Sequence, residues 1–233
     1  MATVTTTNNN PVTTNMDKKP VTTNIEWLNR AYSAKGLTDL RSLYDEWATS
    51  YDTDLVQPNQ DYVAPTLAAA TLAKHLGPEQ PLDKMQILDA GCGTGLVGAA
   101  LAKLGAKHIS GIDLSPGMLK VAGNLHVYTN LDTTDLSKPL EEGTDTFDAV
   151  TCVGTLTHAH VGPEVLSEFV RIVKKGGWIV ATILDDIWEE VGYRAEIDKL
   201  LANGKVKLVS ADSGDYRRGA GVSARMVVLE VIG

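Results

Sequence analysis

The sequence holds only two cysteines, Cys92 and Cys152, in 233 residues. Two thiols exclude a disulfide framework and a metal site built from cysteine alone, and no metal is expected. No run of about eighteen apolar residues occurs, so neither a helical membrane span nor a membrane partner is expected. Basic residues are outnumbered by acidic ones, 21 against 29, for a formal net charge of −8. An acidic chain repels phosphate backbones, so nucleic acid is not an expected partner either. The opening Met1-Ala2-Thr3-Val4-Thr5-Thr6-Thr7 has no basic or apolar stretch. A secretory leader is therefore not expected, and a cytoplasmic location is. What is present, 43% hydrophobic and 21% charged residues, is the composition of an ordinary folded domain. A chain of this length buries roughly 70% of its unfolded surface.

Residues 1–24 stand apart from the rest. Val-Thr-Thr-Asn occurs at Val12–Asn15 and again at Val21–Asn24, with little apolar surface to offset the roughly 1–2 kcal/mol per residue that ordering costs. This stretch reads as a low-complexity tail. The remainder, 25–233, reads as one domain, with helices over 25–80 preceding an α/β core over 81–233. Leu40, Leu43, Tyr44, Trp47 and Tyr51 share one helical face, and Pro65 opens a second, Ala- and Leu-rich helix ending near Gly77.

Beyond Pro81 strand and helix signals alternate. Strands are expected at Gln86–Ala90, His108–Asp113, His126–Leu131, Phe147–Val153, Trp178–Leu184, Lys205–Ser210 and Arg225–Ile232. Helices are expected at Gly95–Leu104, Ser115–Asn124, Pro163–Lys174 and Asp186–Leu201. The alternation predicts a doubly wound α/β fold with a mostly parallel, seven-stranded sheet. The final pair, joined by a loop from Ala211 to Val222, is expected to run antiparallel.

The densest local signal is Ile87-Leu88-Asp89-Ala90-Gly91-Cys92-Gly93-Thr94-Gly95. A buried strand enters three alternate glycines, and then a helix with Val97, Leu101 and Leu104 on one face. Glycine allows a tight turn and lets a ligand approach the backbone. Gly93 to Gly98 also matches the dinucleotide pattern G-x-G-x-x-G, a weak motif on its own. In that register the first glycine trails the strand by two extra residues. Asp89 would also stand in the path of a pyrophosphate, whereas a carboxylate there suits a ligand bearing a cationic amine.

The run Asp89-x-Gly91-x-Gly93-x-Gly95 resembles the first motif of class I S-adenosylmethionine-dependent methyltransferases. The resemblance extends over residues 37–233. Within that superfamily the chain is similar to the Williams–Beuren-region methyltransferase-like proteins and related fungal small-molecule methyltransferases. The residues that carry this are Leu43-Tyr44-Asp45-x-Trp47-Ala48-x-x-Tyr51-Asp52, Tyr62-x-x-Pro65, Ile112-Asp113-Leu114-Ser115-x-x-Met118-Leu119 and Phe147-Asp148-Ala149-Val150 through Gly154. The resemblance implies a Rossmann-like fold with N-terminal helices capping the active site, S-adenosylmethionine as cofactor, and a small-molecule or short-peptide acceptor methylated on nitrogen or oxygen. No Asn-Pro-Pro-Tyr or Asp-Pro-Pro-Tyr follows the fourth strand, so the mark of base methylation in relatives is missing.

Asp113 lies 22 residues after Gly91. By resemblance it holds the ribose hydroxyls, Leu114 packs on the adenine, and Met118 either joins it or fills the core. Asp135-Leu136 matches the position that receives the adenine amino group, with Asp132 as the competing match. Asp89, Gly91, Cys92, Gly93 and Gly95 form the turn around the cofactor, Val153 lines its methionine end, and Tyr51 closes over it or is a plain core aromatic. His158 and His160 are the candidate bases, being histidines beyond a strand end that titrate near neutrality; loop histidines without a role are the alternative. Tyr44, Tyr51, His158, Asp185 and Trp188 are the expected acceptor contacts. Together with Asp186, the last two suit an amine-bearing acceptor through charge pairing and cation–π contact. Two other functions compete: a protein that binds the cofactor without transferring methyl, and an NAD-dependent oxidoreductase.

Overall fold

The computed structural model describes residues 25–77 and 79–233; the tail read over 1–24 lies outside the described residues. Four helices come first: α1 (Glu26–Tyr32), α2 (Leu37–Trp47), α3 (Tyr51–Val56) and α4 (Ala64–His75). The core then follows as β1 (Gln86–Ala90), α5 (Leu96–Lys103), β2 (His108–Asp113), α6 (Pro116–Gly123), β3 (Asn130–Thr133), β4 (Phe147–Leu156), α7 (Val165–Ile172), β5 (Val173–Leu184), α8 (Tyr193–Ala202), β6 (Val206–Arg217) and β7 (Val222–Val231).

The strands form one sheet in the order β3-β2-β1-β4-β5-β7-β6. Strands β1 to β5 pair in parallel, and β7 lies antiparallel between β5 and β6. Ile87, Leu88 and Ala90 on β1, and Ala149, Val150 and Cys152 on β4, are fully buried, as expected where helices cover both faces of a parallel sheet. The strand order reverses between β1 and β4. The crevice beyond their carboxyl ends is where such folds bind ligands.

Helices α1 to α3 have their own small core: Leu28, Ala31, Leu40, Leu43, Trp47 and Leu55. It meets the α/β core through Tyr44, Tyr51, Tyr62 and Leu114. The apolar face running from Leu40 to Tyr51 is not one helix. The chain breaks between α2 and α3, where Asp54 Oδ2 accepts from Trp47 Nε1 at 2.7 Å and Ser50 Oγ at 3.0 Å. A side chain that satisfies the turn competes with continued helix.

Other boundaries differ from the sequence pattern as well: α7 ends at Ile172 and β5 already begins at Val173, so Lys174 to Gly177 lie in a strand and not at a helix end, and β4 runs on to Leu156. The third strand is only Asn130–Thr133, because His126 adopts a left-handed φ of 55° and the turn after it sends Tyr128 toward β1. The last helix starts at Tyr193 instead of Asp186, behind Gly192 at φ 98°; residues 185–190 are turns. Strand β6 runs on to Arg217, so the expected Ala211–Val222 loop shrinks to a 3-10 turn, Arg218–Ala220, closed by Gly221 at φ 65°. That extension places Arg217 opposite Tyr62.

Candidate functional site

A cleft of about 650 Å³, including its open mouth, lies beyond the carboxyl ends of β1, β2 and β4 and under α2 and α3. The glycine turn forms one wall. Gly91 and Gly93 take left-handed φ values of 69° and 54°. A Cβ on Gly91 would lie 2.0 Å from Thr155 Oγ1, so only glycine fits between the turn and β4. A Cβ on Gly93 would meet nothing; its Cα faces the cleft.

Asp113 closes the end of β2. Its Oδ2 accepts from Gly93 N at 2.8 Å and its Oδ1 from Ser115 N at 2.9 Å. Burial raises its pKa against these bonds. Each oxygen keeps a second lone pair, and the side chain borders the cleft. Beside it Leu114, Met118 and Leu136 make an apolar slot, with Asp135 at the rim. Burial pulls Asp135 upward, but the Ser137 hydroxyl and amide and Lys138 hold it below its ordinary value. Asp132 is exposed and away from the cleft.

Val153 and Gly154 on β4 continue the wall toward Tyr44, Tyr51 and His160. His160 Nδ1 bonds the His158 carbonyl. A carbonyl only accepts, so Nδ1 carries the hydrogen and Nε2 accepts from the Tyr44 hydroxyl at 2.8 Å. Burial pushes the His160 pKa down to about 4, leaving the ring neutral at pH 7.

Thus Tyr51, Gly91, Gly93, Asp113, Leu114, Met118, Asp135, Leu136, Val153, Tyr44 and His160 come together around one cleft. The remaining candidates are placed elsewhere. Asp89 lies fully buried behind the turn, where Tyr128 Oη donates to it at 2.7 Å and Thr151 Oγ1 at 3.1 Å; it does not reach the cleft to meet an amine. Burial raises its pKa to about 6. Cys92 is buried under the turn. Gly95, at φ 95°, is the left-handed start of α5, packed against Leu125 and Tyr128. His158 pairs with Asp186 at 2.8 Å outside the cleft. Asp185 and Trp188 are engaged by the chain's own cation: Arg225 pairs with Asp185 at 3.5 Å and lies 5.4 Å from the Trp188 ring centroid. Trp188 is buried in the main core. The amine-directed reading of that segment is therefore replaced by an internal contact.

Two clasps hold the cap over the cleft. Asp45 Oδ1 on α2 accepts from Ser115 Oγ at 2.6 Å and Gly117 N at 2.7 Å, at the positive amino end of α6. Asp52 Oδ1 on α3 accepts from the buried Thr94 hydroxyl in the glycine turn at 2.5 Å. Each Tyr-Asp doublet thus joins a cleft-wall tyrosine, Tyr44 or Tyr51, to a clasp carboxylate. The doublets were visible in the sequence, but their partners are 42 or more residues away. No group of metal-ligating side chains occurs among the described residues, and none of their helices is long and apolar enough to cross a membrane.

Residues 88–181 match the family model described as a methyltransferase domain. Methyltransferase-like protein 27 of Homo sapiens is 38% identical over 157 residues, spanning 66% of this chain and 62% of that protein. The ubiquinone biosynthesis O-methyltransferase of Thiobacillus denitrificans is 38% identical over 110 residues, 45% of this chain and 47% of that protein. The chain thus spans less than two thirds of the length of these relatives. Magnesium protoporphyrin IX methyltransferase from Synechocystis, solved with bound SAH, superposes with a TM-score of 0.62 at 16% identity, covering 84% of this chain and all of that one. The [4+2]-cyclase SpnF gives 0.62 at 16% identity over 86% of this chain and 98% of its own. The domain match over residues 88–181 is to methyltransferases, and the fold is the Rossmann-like fold of class I S-adenosylmethionine-dependent methyltransferases. The human methyltransferase-like protein is similar to this chain over 66% of this chain's length.

Proposed function

We propose that this chain transfers a methyl group from S-adenosylmethionine to a small-molecule or short-peptide acceptor, with oxygen favoured over nitrogen, in the cytoplasm, as one methyltransferase domain over 25–233. The observation that carries the reading is the cleft in which Gly91, Gly93 and Asp113 converge beside the Leu114–Met118–Leu136 slot. Its chemistry fits the donor. Free lone pairs on Asp113 suit a ribose diol, the slot suits a flat base with Asp135 at its amino edge, and the bare Gly91–Gly93 turn admits an aminoacyl chain. The oxygen preference rests on the ubiquinone O-methyltransferase relatives.

Bound S-adenosylmethionine supplies an electrophilic methyl group on a cationic sulfur. Gly91, Gly93 and Asp113 would hold this donor, and its methyl would be offered to an acceptor hydroxyl on the Tyr44–Tyr51 side of the cleft. The protein contributes alignment, worth about 7–11 kcal/mol in well-oriented systems. Its capped cleft also keeps water from the nucleophile. A ring pushed down to about 4 is a weak base at pH 7, so His160 acts here as a positioning residue that fixes the Tyr44 hydroxyl.

The test incubates the chain with methyl-labelled S-adenosylmethionine and fractionated small-molecule extracts. Labelled product of one added CH2 is expected, in step with release of the demethylated cofactor. Binding without any labelled product across extracts would favour a cofactor-binding protein that transfers no methyl; the fold is shared with a protein named as a cyclase.

A further inference from the structure

Beyond Val153 the cleft is walled by Tyr44, Tyr51, Gly154, Thr155, His160 and Val161. With His160 neutral and the tyrosines raised by burial, none of these side chains is charged at pH 7. Among the described residues no lysine or arginine borders the cleft, and its carboxylates, Asp113 and Asp135, belong to the donor side. A methyl acceptor is therefore sorted here by the direction of its hydrogen bonds.

The donors of this wall are already engaged. Gly154 N donates to Thr182 Oγ1 at 3.1 Å, and Thr155 Oγ1 donates to the Gly91 carbonyl in a long bond of 3.4 Å. His160 gives its Nδ1 hydrogen to the His158 carbonyl, with Thr157 Oγ1 as a further acceptor 3.0 Å from the same nitrogen. Between the two histidines Ala159 holds a left-handed φ of 60°, a strained backbone for a residue with a Cβ. Nε2 is left as a bare lone pair, and the Tyr44 hydroxyl donates its one hydrogen to it at 2.8 Å. Both ends of that bond border the cleft. Tyr44 Oη thus offers a ligand lone pairs and no hydrogen.

We infer that Tyr44, its hydrogen held by His160, selects the methyl acceptor by polarity: it takes an uncharged hydrogen donor, an alcohol or phenol O–H, and turns away groups that only accept, such as a carboxylate, phenolate or ether. The inference rests on reading the adjoining cleft as the methyl-donor site. An acceptor that places its hydrogen on Tyr44 Oη keeps its oxygen lone pairs for the methyl group. A protonated amine also donates but has no lone pair to receive the methyl. An anion would meet the Tyr44 lone pairs with no cation to offset them.

The test uses the full chain saturated with SAH. Nitrogen-15 NMR at pH 7 reads the His160 tautomer, and Nδ1 protonated with Nε2 bare is expected. A hydrogen on Nε2 would turn the Tyr44 hydrogen toward the cleft and overturn the inference. Titrations with phenol, anisole and benzoate read the selection itself. Phenol should bind on the order of tenfold more tightly than either of the others. Tyr44→Phe should bring phenol down to the level of anisole. His160→Leu should instead raise the affinity for anisole about threefold or more, because it frees the Tyr44 hydrogen; a merely structural His160 would lower all three alike. No binding of phenol, equal binding of phenol and anisole, tighter binding of benzoate, or an anisole affinity that does not rise in His160→Leu would overturn the inference. If a variant fails to fold, the tautomer and the wild-type ratio of phenol to anisole still decide. Failure of SAH to bind the wild-type chain would overturn the donor-site reading instead, and the same two measurements made without SAH would still report on Tyr44.

Discussion

Replacing Asp52 by Ala tests how the cap is held. Thr94, 2% exposed, would lose the acceptor of its hydroxyl, and an unsatisfied buried donor costs about 1–3 kcal/mol. Taking about 2 kcal/mol, the closing equilibrium of the cap falls about thirtyfold. Because α1 to α3 pack on a core separate from the sheet, the loss should appear as local opening and not global unfolding. Hydrogen exchange would read it directly. Amides of residues 26–56 should exchange about thirtyfold faster, while Ile87, Val150 and Val180, buried on β1, β4 and β5, keep their protection. Asp45→Ala removes two bonds from an exposed carboxylate and should give a smaller change, about 1 kcal/mol. Uniform acceleration across cap and sheet, or none in the cap, would refute the clasp.

Gly91→Ala should destabilise the fold by about 2–5 kcal/mol, combining a left-handed alanine with a Cβ driven into Thr155; adding Thr155→Gly should recover only the packing part, as read by urea unfolding. Stability between pH 4 and 6.5 should show two opposed contributions. The unfolded state binds the His160 proton more readily (about 6.5 against about 4 folded), so His160 stabilises above pH 6.5 and loses up to about 3 kcal/mol of that as pH falls toward 4, less whatever solvent in the cleft screens. Asp89, raised from 3.8 to about 6, has the opposite sign: its contribution is fullest below pH 3.8 and declines by about 3 kcal/mol as pH rises through 6. Wild-type stability should therefore be nearly flat across this window, while His160→Gln loses stability as pH rises and Asp89→Asn gains it. Parallel profiles for all three would contradict both assignments.

The sheet was legible because its strands are short apolar runs set between glycines and helix caps. The boundaries of β1 and β2 follow from Gln86–Ala90 and His108–Asp113 directly. Boundaries failed where side chains reach across the fold: Asp54 breaks the Leu40–Tyr51 face, and Tyr128 leaves its expected strand to bond Asp89. The donor side of the cleft was readable because it is built from contiguous motifs around Gly91, Asp113 and Asp135. The polar cluster behind the cleft was not: it joins Tyr32, Tyr62 and Arg217 from segments up to 185 residues apart, and nothing local distinguishes Arg217 from the ion-paired Arg218 beside it. Asp185 and Trp188 looked like substrate contacts because their internal partner, Arg225, is distant in sequence.

The central claim is that the Gly91 turn and Asp113 hold S-adenosylmethionine. Calorimetric titration of the wild-type chain and Asp113→Ala with SAH addresses it most directly. Saturable one-to-one binding is predicted for the wild type, weakened by about 1–3 kcal/mol in the variant through loss of hydrogen bonds to a buried ligand, with NAD giving no heat. No heat with SAH, an affinity indifferent to Asp113, or tighter binding of NAD would contradict it.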